Sequence, residues 1–455
     1  MLVIRTVLFL GCALCLLAQS DQQPAQETPP AQDAQPAPEY GGPAILSRGE
    51  TPNMQSPAPL AFRPYAGVSG IFDNGIIPIT VTSTGKIPSE DVYGVELNMG
   101  AYTYHSWKHT SLGLDYRGDF RHYSQKTFYD GTDQSLALIL KHAPSKHVTL
   151  TLRNQGGTYS QNFGLPSVLG IGEGNYLQTP QNDIFDNRVL FLSTSADLTF
   201  HKSARLSFNF GGEGDLVRRQ SSALYGSTGA SARADVEYRV TRHSTLGADY
   251  RFTHYSYTKG FGNTDIQSVG LNYSSQFTRH LQLSARVGGA RVESLSLQVV
   301  QIDPAVAALL GETEGIQAAH RITYAPDMSA ELANTFRHSA FSVIFANGMT
   351  PGNGVYLTSR TESLVASYSY TGVRHWNFGA NGVYSRMSAL VQTLGAYSSY
   401  GGGVGITKDL GKGMNAVLRV DTHHFNVSDN RFLHNEVRIT LGLNYSPGEV
   451  PLALW

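Results

Sequence analysis

Asp421 and His423 have the residue types and the spacing of an acid–base pair. One residue separates them, so in an extended strand both side chains project from the same face. A carboxylate beside an imidazole can activate water for hydrolysis. That reaction also needs a second acidic group opposite the pair, and the sequence gives no signal for one. The pattern therefore predicts two polar residues on a strand face, with a hydrolase as the alternative.

A larger set of charges lies in the middle of stretches that otherwise alternate between polar and apolar residues. Charges in such positions need water or a counter-charge. No motif for a catalytic residue, a cofactor-binding residue or a metal ligand accompanies them, because the histidines fall in separate short turns and do not converge. The set comprises Arg117, Arg153, Arg233, Asp235, Asp249, Arg251, Arg286, Arg419 and Arg438.

The stretch 231–257 shows how these charges are positioned. Alternate residues are apolar on one side and charged on the other, and a polar break at 241–244 separates two arms of about ten residues. This pattern predicts a β-hairpin with one apolar and one charged face. About ten tilted residues suffice for a strand to cross a bilayer. The predicted lipid-facing residues are Ala232, Val236, Tyr238, Leu246, Tyr250 and Phe252.

The rest of the chain repeats this hairpin. Short polar turns are predicted at 105–109, 142–146, 201–204, 241–244, 278–280, 325–328, 372–375 and 409–413. Longer connections are predicted at 161–188, 219–228, 259–264, 296–315, 350–359, 388–397 and 429–434. Short turns on one side and long loops on the other are typical of outer-membrane barrels, with the short turns in the periplasm. Five turns contain a basic residue followed by His, which predicts an interfacial ring beside lipid headgroups.

Eight short turns join sixteen strands, and two more strands complete the count. The last, at 435–445, alternates cleanly, and the first, at 65–72, is blurred by glycines. We therefore expect an all-β fold, a transmembrane antiparallel up-and-down β-barrel of about 18 strands, with 16 as the fallback. Long arms, mid-strand charges and successive hairpins without a helical crossover favour a closed barrel over a sandwich.

Composition excludes other classes. Only 15% of the 455 residues are charged and the formal net charge is −1, so the chain has no basic footprint for nucleic acid. Mean hydropathy slightly below zero excludes a bundle of membrane helices. A basic start, an apolar run at 6–17 and small residues predict a signal peptide at 1–20 that contains both cysteines. Residues 21–60, rich in Pro, Gln and Ala, predict a disordered periplasmic segment, and 61–455 form the barrel.

In these respects the chain resembles porin-like outer-membrane β-barrel proteins of Gram-negative bacteria. The resemblance implies location in the outer membrane, contact with its lipid, and recognition of the last strand by the insertion machinery. In such proteins an aromatic residue closes the C-terminal signal. Here either Tyr445 closes it and a tail follows, or Leu452, Leu454 and Trp455 do. A homo-oligomer is compatible with the resemblance.

Two loops are candidates for narrowing the pore. Asp303, Pro304, Leu309, Leu310 and Gly311 have the capping pattern of a short helix between two strands. The longest loop, 161–187, carries apolar residues that must be buried somewhere. A barrel of 16–18 strands leaves an aqueous channel unless it is plugged. We therefore expect a channel for small polar solutes, with the mid-strand charges setting selectivity. The alternatives are a barrel for polysaccharide or polymer export and an outer-membrane hydrolase.

Overall fold

The computed structural model describes residues 61–76, 90–124, 130–159, 188–222, 224–258, 260–301, 313–390, 395–427, 432–447 and 450–451. The predicted signal peptide, the predicted periplasmic segment and both predicted constriction loops lie outside these residues. No helix among the described residues is long and apolar enough to cross a membrane.

The described residues form one antiparallel sheet in which each strand pairs with the next. The first nine strands are β1 Ala61–Ile76, β2 Glu90–Ser106, β3 Thr110–Tyr123, β4 Gly131–Ser145, β5 Val148–Tyr159, β6 Val189–His201, β7 Leu206–Arg219, β8 Gly226–Arg239 and β9 Ser244–Thr258. The next nine are β10 Asn263–Gln276, β11 Leu281–Gln301, β12 Glu314–Thr335, β13 Ser339–Thr350, β14 Ser359–Val373, β15 Trp376–Ala389, β16 Tyr397–Gly411, β17 Met414–Val427 and β18 Phe432–Tyr445.

The sheet closes on itself. β1 pairs with β2 on one side and with β18 on the other, from Ala66↔Tyr445 to Asp73↔Arg438. A two-residue strand, β19 Val450–Pro451, extends the seam beside the start of β1. Closure pairs the first strand with the last, so neither is left as the open edge of a sheet. The expected 18-strand up-and-down barrel is confirmed, and 16 strands is wrong.

The two faces of each strand differ as the alternation predicts. On β8 and β9 the predicted lipid-facing residues Val236, Leu246 and Tyr250 are exposed, whereas Asp249, Thr253 and Tyr255 between them are buried. The same contrast appears on β18, where Leu441 is 63% exposed and Arg438 only 4%. A water-soluble sheet would bury its apolar face, so this inversion indicates a surface made for lipid.

One predicted turn is wrong. The segment 325–328 lies inside β12, and the turn is at 336–338. Pro326 and Asp327 suggested a turn, but β13 pairs with β12 only from Met328 onward. A proline, which has no N–H to donate, is tolerated where one side of a strand has no partner.

The predicted loop at 296–315 is also too long. β11 continues to Gln301 and β12 begins at Glu314, and the two strands pair along their whole length. β11 has no partner on β10 after Leu295, and β12 has none on β13 before Met328, so this hairpin extends past the wall formed by its two neighbours. Polar and apolar residues do not alternate clearly in this extension, because both of its faces are largely exposed and neither has to be apolar.

Candidate functional site

The nine charges singled out in the sequence all lie on the inward-facing positions of their strands. Side chains on this concave face reach one another across intervening strands, as Arg286 of β11 does with Asp249 of β9. The described residues also show inward carboxylates that the sequence analysis missed, which pair with these arginines. They are Asp73, Asp115, Asp197 and Asp327.

The best-connected group is Asp249–Arg286–Asp327. Arg286 contacts Asp249 through Nη2 at 2.7 Å and through Nε at 2.9 and 3.0 Å. Its Nη1 lies 2.7 Å from an Asp327 oxygen on β12. Exposures of the three side chains are 3%, 7% and 9%. Gly270 makes room for the group on β10, since a Cβ there would lie 2.8 Å from both Arg286 Nε and Asp249 Oδ1. This group therefore ties four neighbouring strands together.

A second group fastens the seam of the barrel. Arg438 of β18 contacts Asp73 of β1 at 3.3 Å and donates to the Tyr123 hydroxyl of β3 at 2.7 Å. Asp73 and Tyr123 are fully buried. Beside them Ile71, Val92 and Tyr123 form an apolar cluster on the inner wall. Since β1 and β18 are the first and last long strands of the described barrel, these contacts stabilise its closure.

The remaining inward charges form looser pairs. Arg233 lies 2.6 Å from Asp197 of β6 and 3.9 Å from Asp235 of its own strand. Arg117 pairs with Asp115, and Arg419 pairs with Asp421 at 2.7 Å. These pairs are more exposed than the Arg286 group. Each pair combines one positive and one negative group, so these pairs carry little net charge.

Two further inward arginines complete the set. Arg251 is directly opposite Arg233 in the β8–β9 register, so two guanidinium groups share one level of the wall. Arg153 of β5 has its Nε buried without a hydrogen-bond partner in the protein. With Asp197 and Asp235 nearby, the arginines at 233 and 251 give the wall on this side a mixed pattern of charge.

The segment 351–358, between β13 and β14, folds into the lumen. Thr358 Oγ1 bonds to the Tyr257 hydroxyl of β9 at 2.6 Å and to Thr264 Oγ1 of β10. Both partners are on inward positions of strands that are not neighbours of β13 or β14. The Gly354 carbonyl accepts from Tyr225 N–H, in the connection between β7 and β8, at 3.1 Å. The segment therefore contacts the inner wall well away from its own strands.

Strands on the other side of β13 and β14 hold the same segment. Tyr356 is 4% exposed and packs with Met387, Tyr397 and Phe425, which are inward residues of β15, β16 and β17. Its hydroxyl donates to the Gly395 carbonyl at 2.6 Å. Burial raises the pKa of Tyr356, because the phenolate would lose its hydration. Through Thr358 and Tyr356 the segment therefore extends over the inner face from β9 and β10 to β15–β17.

Glycines and an asparagine shape this bridge. Gly352 and Gly354 have φ of 81° and 92°, which disfavour any other residue. A Cβ at Gly352 would lie 1.8 Å from the Tyr356 carbonyl oxygen. Asn353 Oδ1 accepts from the N–H groups of Val355 and Tyr356. The turn is therefore defined locally before its side chains reach the walls.

The sequence predicts this segment only as part of an outer loop, at 350–359. The segments that it favoured for constriction, 303–311 and 161–187, lie outside the described residues. The signal was present, since Val355, Tyr356 and Leu357 are apolar residues in a loop and must be buried somewhere. The need to bury apolar residues therefore applies to 351–358 as much as to 161–187.

The acid–base pair at Asp421 and His423 is inward, as the spacing predicts. However, Asp421 accepts from Arg419 Nε at 2.7 and 2.9 Å, so its oxygens are engaged in an ion pair. The His423 ring lies 6.2 Å from the Phe425 ring. Within the described ranges no group of three His, Cys, Asp or Glu residues could hold a metal ion. The geometry is that of two wall residues.

Comparison with known proteins gives a likeness in solved structures only. No protein-family model matches the chain, and no curated protein matches it. Pseudomonas aeruginosa OpdQ aligns with a TM-score of 0.41 and 12% identity over 87% of this chain and 98% of that chain. OccK2 (OpdF) of the same organism, in complex with glucuronate, gives 0.41 and 13% over 85% and 98%. OccK9 (OpdG) gives 0.41 and 14% over 85% and 98%. A likeness of this degree carries no information on what this chain binds.

Proposed function

We propose that this protein is a channel that carries small polar solutes across an outer membrane. The observation that carries the proposal is a closed 18-strand barrel with a lipid-facing apolar outside and a charged inner wall. Barrels of 16–18 strands enclose an aqueous lumen. A passage for water needs a polar wall, whereas a purely structural barrel could be filled with apolar side chains.

The segment 351–358 sets the size of the solute. It crosses the outer mouth between the wall of β9 and β10 and the wall of β15–β17. A solute must pass beside it, so the channel admits small molecules and not a folded chain. The inner charges act below it. Most arginines there are paired with carboxylates, so we propose selection by local charge pattern at Arg233, Asp235 and Arg251 and not by a large net charge.

Delivery to the membrane belongs to the same proposal. Residues 1–20 serve as the export signal, and the insertion machinery recognises β18. On that strand Leu441, Leu443 and Tyr445 all project outward and are exposed. This supports Tyr445 as the aromatic residue that closes the signal. Assembly into a homo-oligomer stays a prediction.

Planar-bilayer conductance tests the channel. The refolded protein should give steady single-channel currents. A variant in which 352–357 is replaced by six Gly and Ser residues should conduct more, because Tyr356 no longer anchors the bridge. The matched control is Tyr225→Phe, which alters a side chain beside the segment and leaves the backbone bond to Gly354 intact.

The outcomes separate the alternatives. Absence of current from both the unaltered protein and the loop variant would refute a channel. Equal currents from both would show that the segment does not limit passage. Hydrolysis of peptide or lipid that disappears in Asp421→Asn would favour the enzyme instead.

A further inference from the structure

The eight short turns of the barrel are structurally equivalent. They are at 107–109, 146–147, 202–205, 240–243, 277–280, 336–338, 374–375 and 412–413. In every one, the carbonyl of the last turn residue accepts a backbone hydrogen bond from the next hairpin, at 2.7–2.9 Å. Ala143 N–H donates to the His109 carbonyl, for example, and Gln276 N–H donates to the His243 carbonyl. The turns are therefore fastened into one ring at the rim of the barrel.

The ring has a repeated and one-sided charge. Six turns end in a basic residue followed by His, at 108–109, 146–147, 242–243, 279–280, 337–338 and 374–375. The sixth pair, 337–338, lies in the turn that the sequence pattern wrongly predicts at 325–328. Of the other two turns, one ends in Arg205 and one contains Lys412. None of the eight turns contains Asp or Glu.

Turn geometry does not explain this composition. Gly, Asn, Asp, Pro and Ser are the residues that tight turns favour. Two of the turns hold His375 and Lys412 at φ of 63° and 52°, in the left-handed region where Gly or Asn would be less strained. At 412 the chain keeps a lysine at a conformational cost, so this charge serves something other than the turn.

Exposed apolar side chains accompany the charges. Trp107 and Phe336 directly precede a basic pair, and Phe277 precedes one by two positions. All three are more than half exposed. Trp376 follows the pair at 374–375, and Lys408 Nζ lies 5.2 Å from its ring centre. Aromatic rings beside cations are typical of the level where hydrocarbon meets lipid headgroups.

We propose that this ring, the eight short turns with their basic residues, binds the anionic phospholipid headgroups of the leaflet around it. Arg and Lys bind phosphate oxygens through charge-assisted hydrogen bonds. The ring surrounds the whole circumference, as a lipid annulus does, whereas a protein partner would cover one arc. Exposed aromatic residues between the cations also need hydrocarbon, which a soluble polyanion does not offer. The proposal requires a membrane-spanning barrel but not a conducting one.

Tryptophan fluorescence in vesicles tests the proposal. The chain has three tryptophans, at 107, 376 and 455. In a W376F/W455F background Trp107 is the only reporter, and it adjoins Lys108 and His109. The protein is inserted into vesicles that contain bromine-labelled phosphatidylglycerol or bromine-labelled phosphatidylcholine at equal mole fraction. Bromine quenches tryptophan on contact, so the ratio of the two quenching curves gives the lipid preference at this turn.

Phosphatidylglycerol should quench more strongly. In the variant K108Q/H109Q the ratio of quenching by the two lipids should fall about fivefold, which is the effect of one cation near an anionic surface. The control is R218Q, which removes an exposed charge at the opposite rim and should leave the preference unchanged. Insertion of each variant is checked by heat-dependent gel mobility. If K108Q/H109Q does not insert, quenching is measured for the protein with the unaltered ring in 0.5 M NaCl. Salt should lower the preference for phosphatidylglycerol, because it screens the attraction between the cations and the headgroups.

Three results would overturn the proposal. The first is equal quenching by both lipids. The second is an R218Q effect as large as that of K108Q/H109Q. The third is a preference that does not change with salt.

Discussion

The Asp249–Arg286–Asp327 group gives the sharpest prediction about stability. Arg286→Met keeps most of the side-chain volume but leaves two carboxylates in the wall without their counter-charge. Both are at least nine-tenths buried, so neither can regain full hydration in place. Removing one partner of a buried ion pair costs about 3–5 kcal/mol. We expect a loss in that range in the free energy of unfolding at pH 8.

The assay is urea unfolding of the protein in lipid vesicles, followed by tryptophan fluorescence, with folding and unfolding shown to be reversible. The triple variant R286M/D249N/D327N removes the uncompensated charge. It should recover most of the lost stability, because neutral amides are far less costly to bury than carboxylates.

Arg419→Met is the matched control. It makes the same change of side chain on the same inner face, but Arg419 is 34% exposed, and its partner Asp421 also lies directly opposite Arg438 in the β17–β18 register and so keeps a neighbouring cation. Pairs of this kind contribute about 0–1 kcal/mol. A loss for Arg419→Met as large as that for Arg286→Met would refute the argument from burial. Failure of the triple variant to recover stability would refute the argument from charge.

Two further predictions concern the faces of the wall and the bridging segment. Val236→Arg should lower the free energy of unfolding by about 2–4 kcal/mol if the residue lies at mid-membrane, which urea titration measures. Arg251→Gln should change ion selectivity, measured as a reversal potential, with little loss of stability. The opposite pattern would show that the two faces are assigned the wrong way round. Because burial raises the pKa of Tyr356, the neutral phenol should hold the bridge up to and somewhat above the ordinary tyrosine pKa of about 10, and deprotonation at higher pH should release it. Conductance should then rise in the unaltered channel and stay flat across the same pH range in Tyr356→Phe, which has no proton to lose.

Much of the fold follows from the sequence because each strand of a barrel wall pairs with the strands that come just before and after it along the chain. Each strand needs only to place alternate residues in lipid and in the lumen, and that alternation is written locally, as at 231–257. Seven of the eight short turns could be located for the same reason. The eighth failed because Pro326 and Asp327 have turn chemistry, and only the missing β13 partner makes them acceptable within a strand.

Nine charged residues of the wall could likewise be named in advance, but several of their partners could not. Asp249, Arg286 and Asp327 are separated by 37 and 41 positions, and the register of three intervening hairpins decides that they meet. The same holds for Arg438 and Tyr123, which meet only because the last strand closes on the first.

The sequence by itself determined the barrel, the direction of its faces and the basic turns, because each depends on residues that are close along the chain. Only the tertiary structure shows that 351–358 enters the lumen. Several loops contain apolar residues that need burial, and local chemistry cannot choose among them. The choice of 351–358 rests on hydroxyl partners at Tyr257 and Thr264 and on an aromatic pocket from β15–β17, all of which closure of the barrel brings around a single opening.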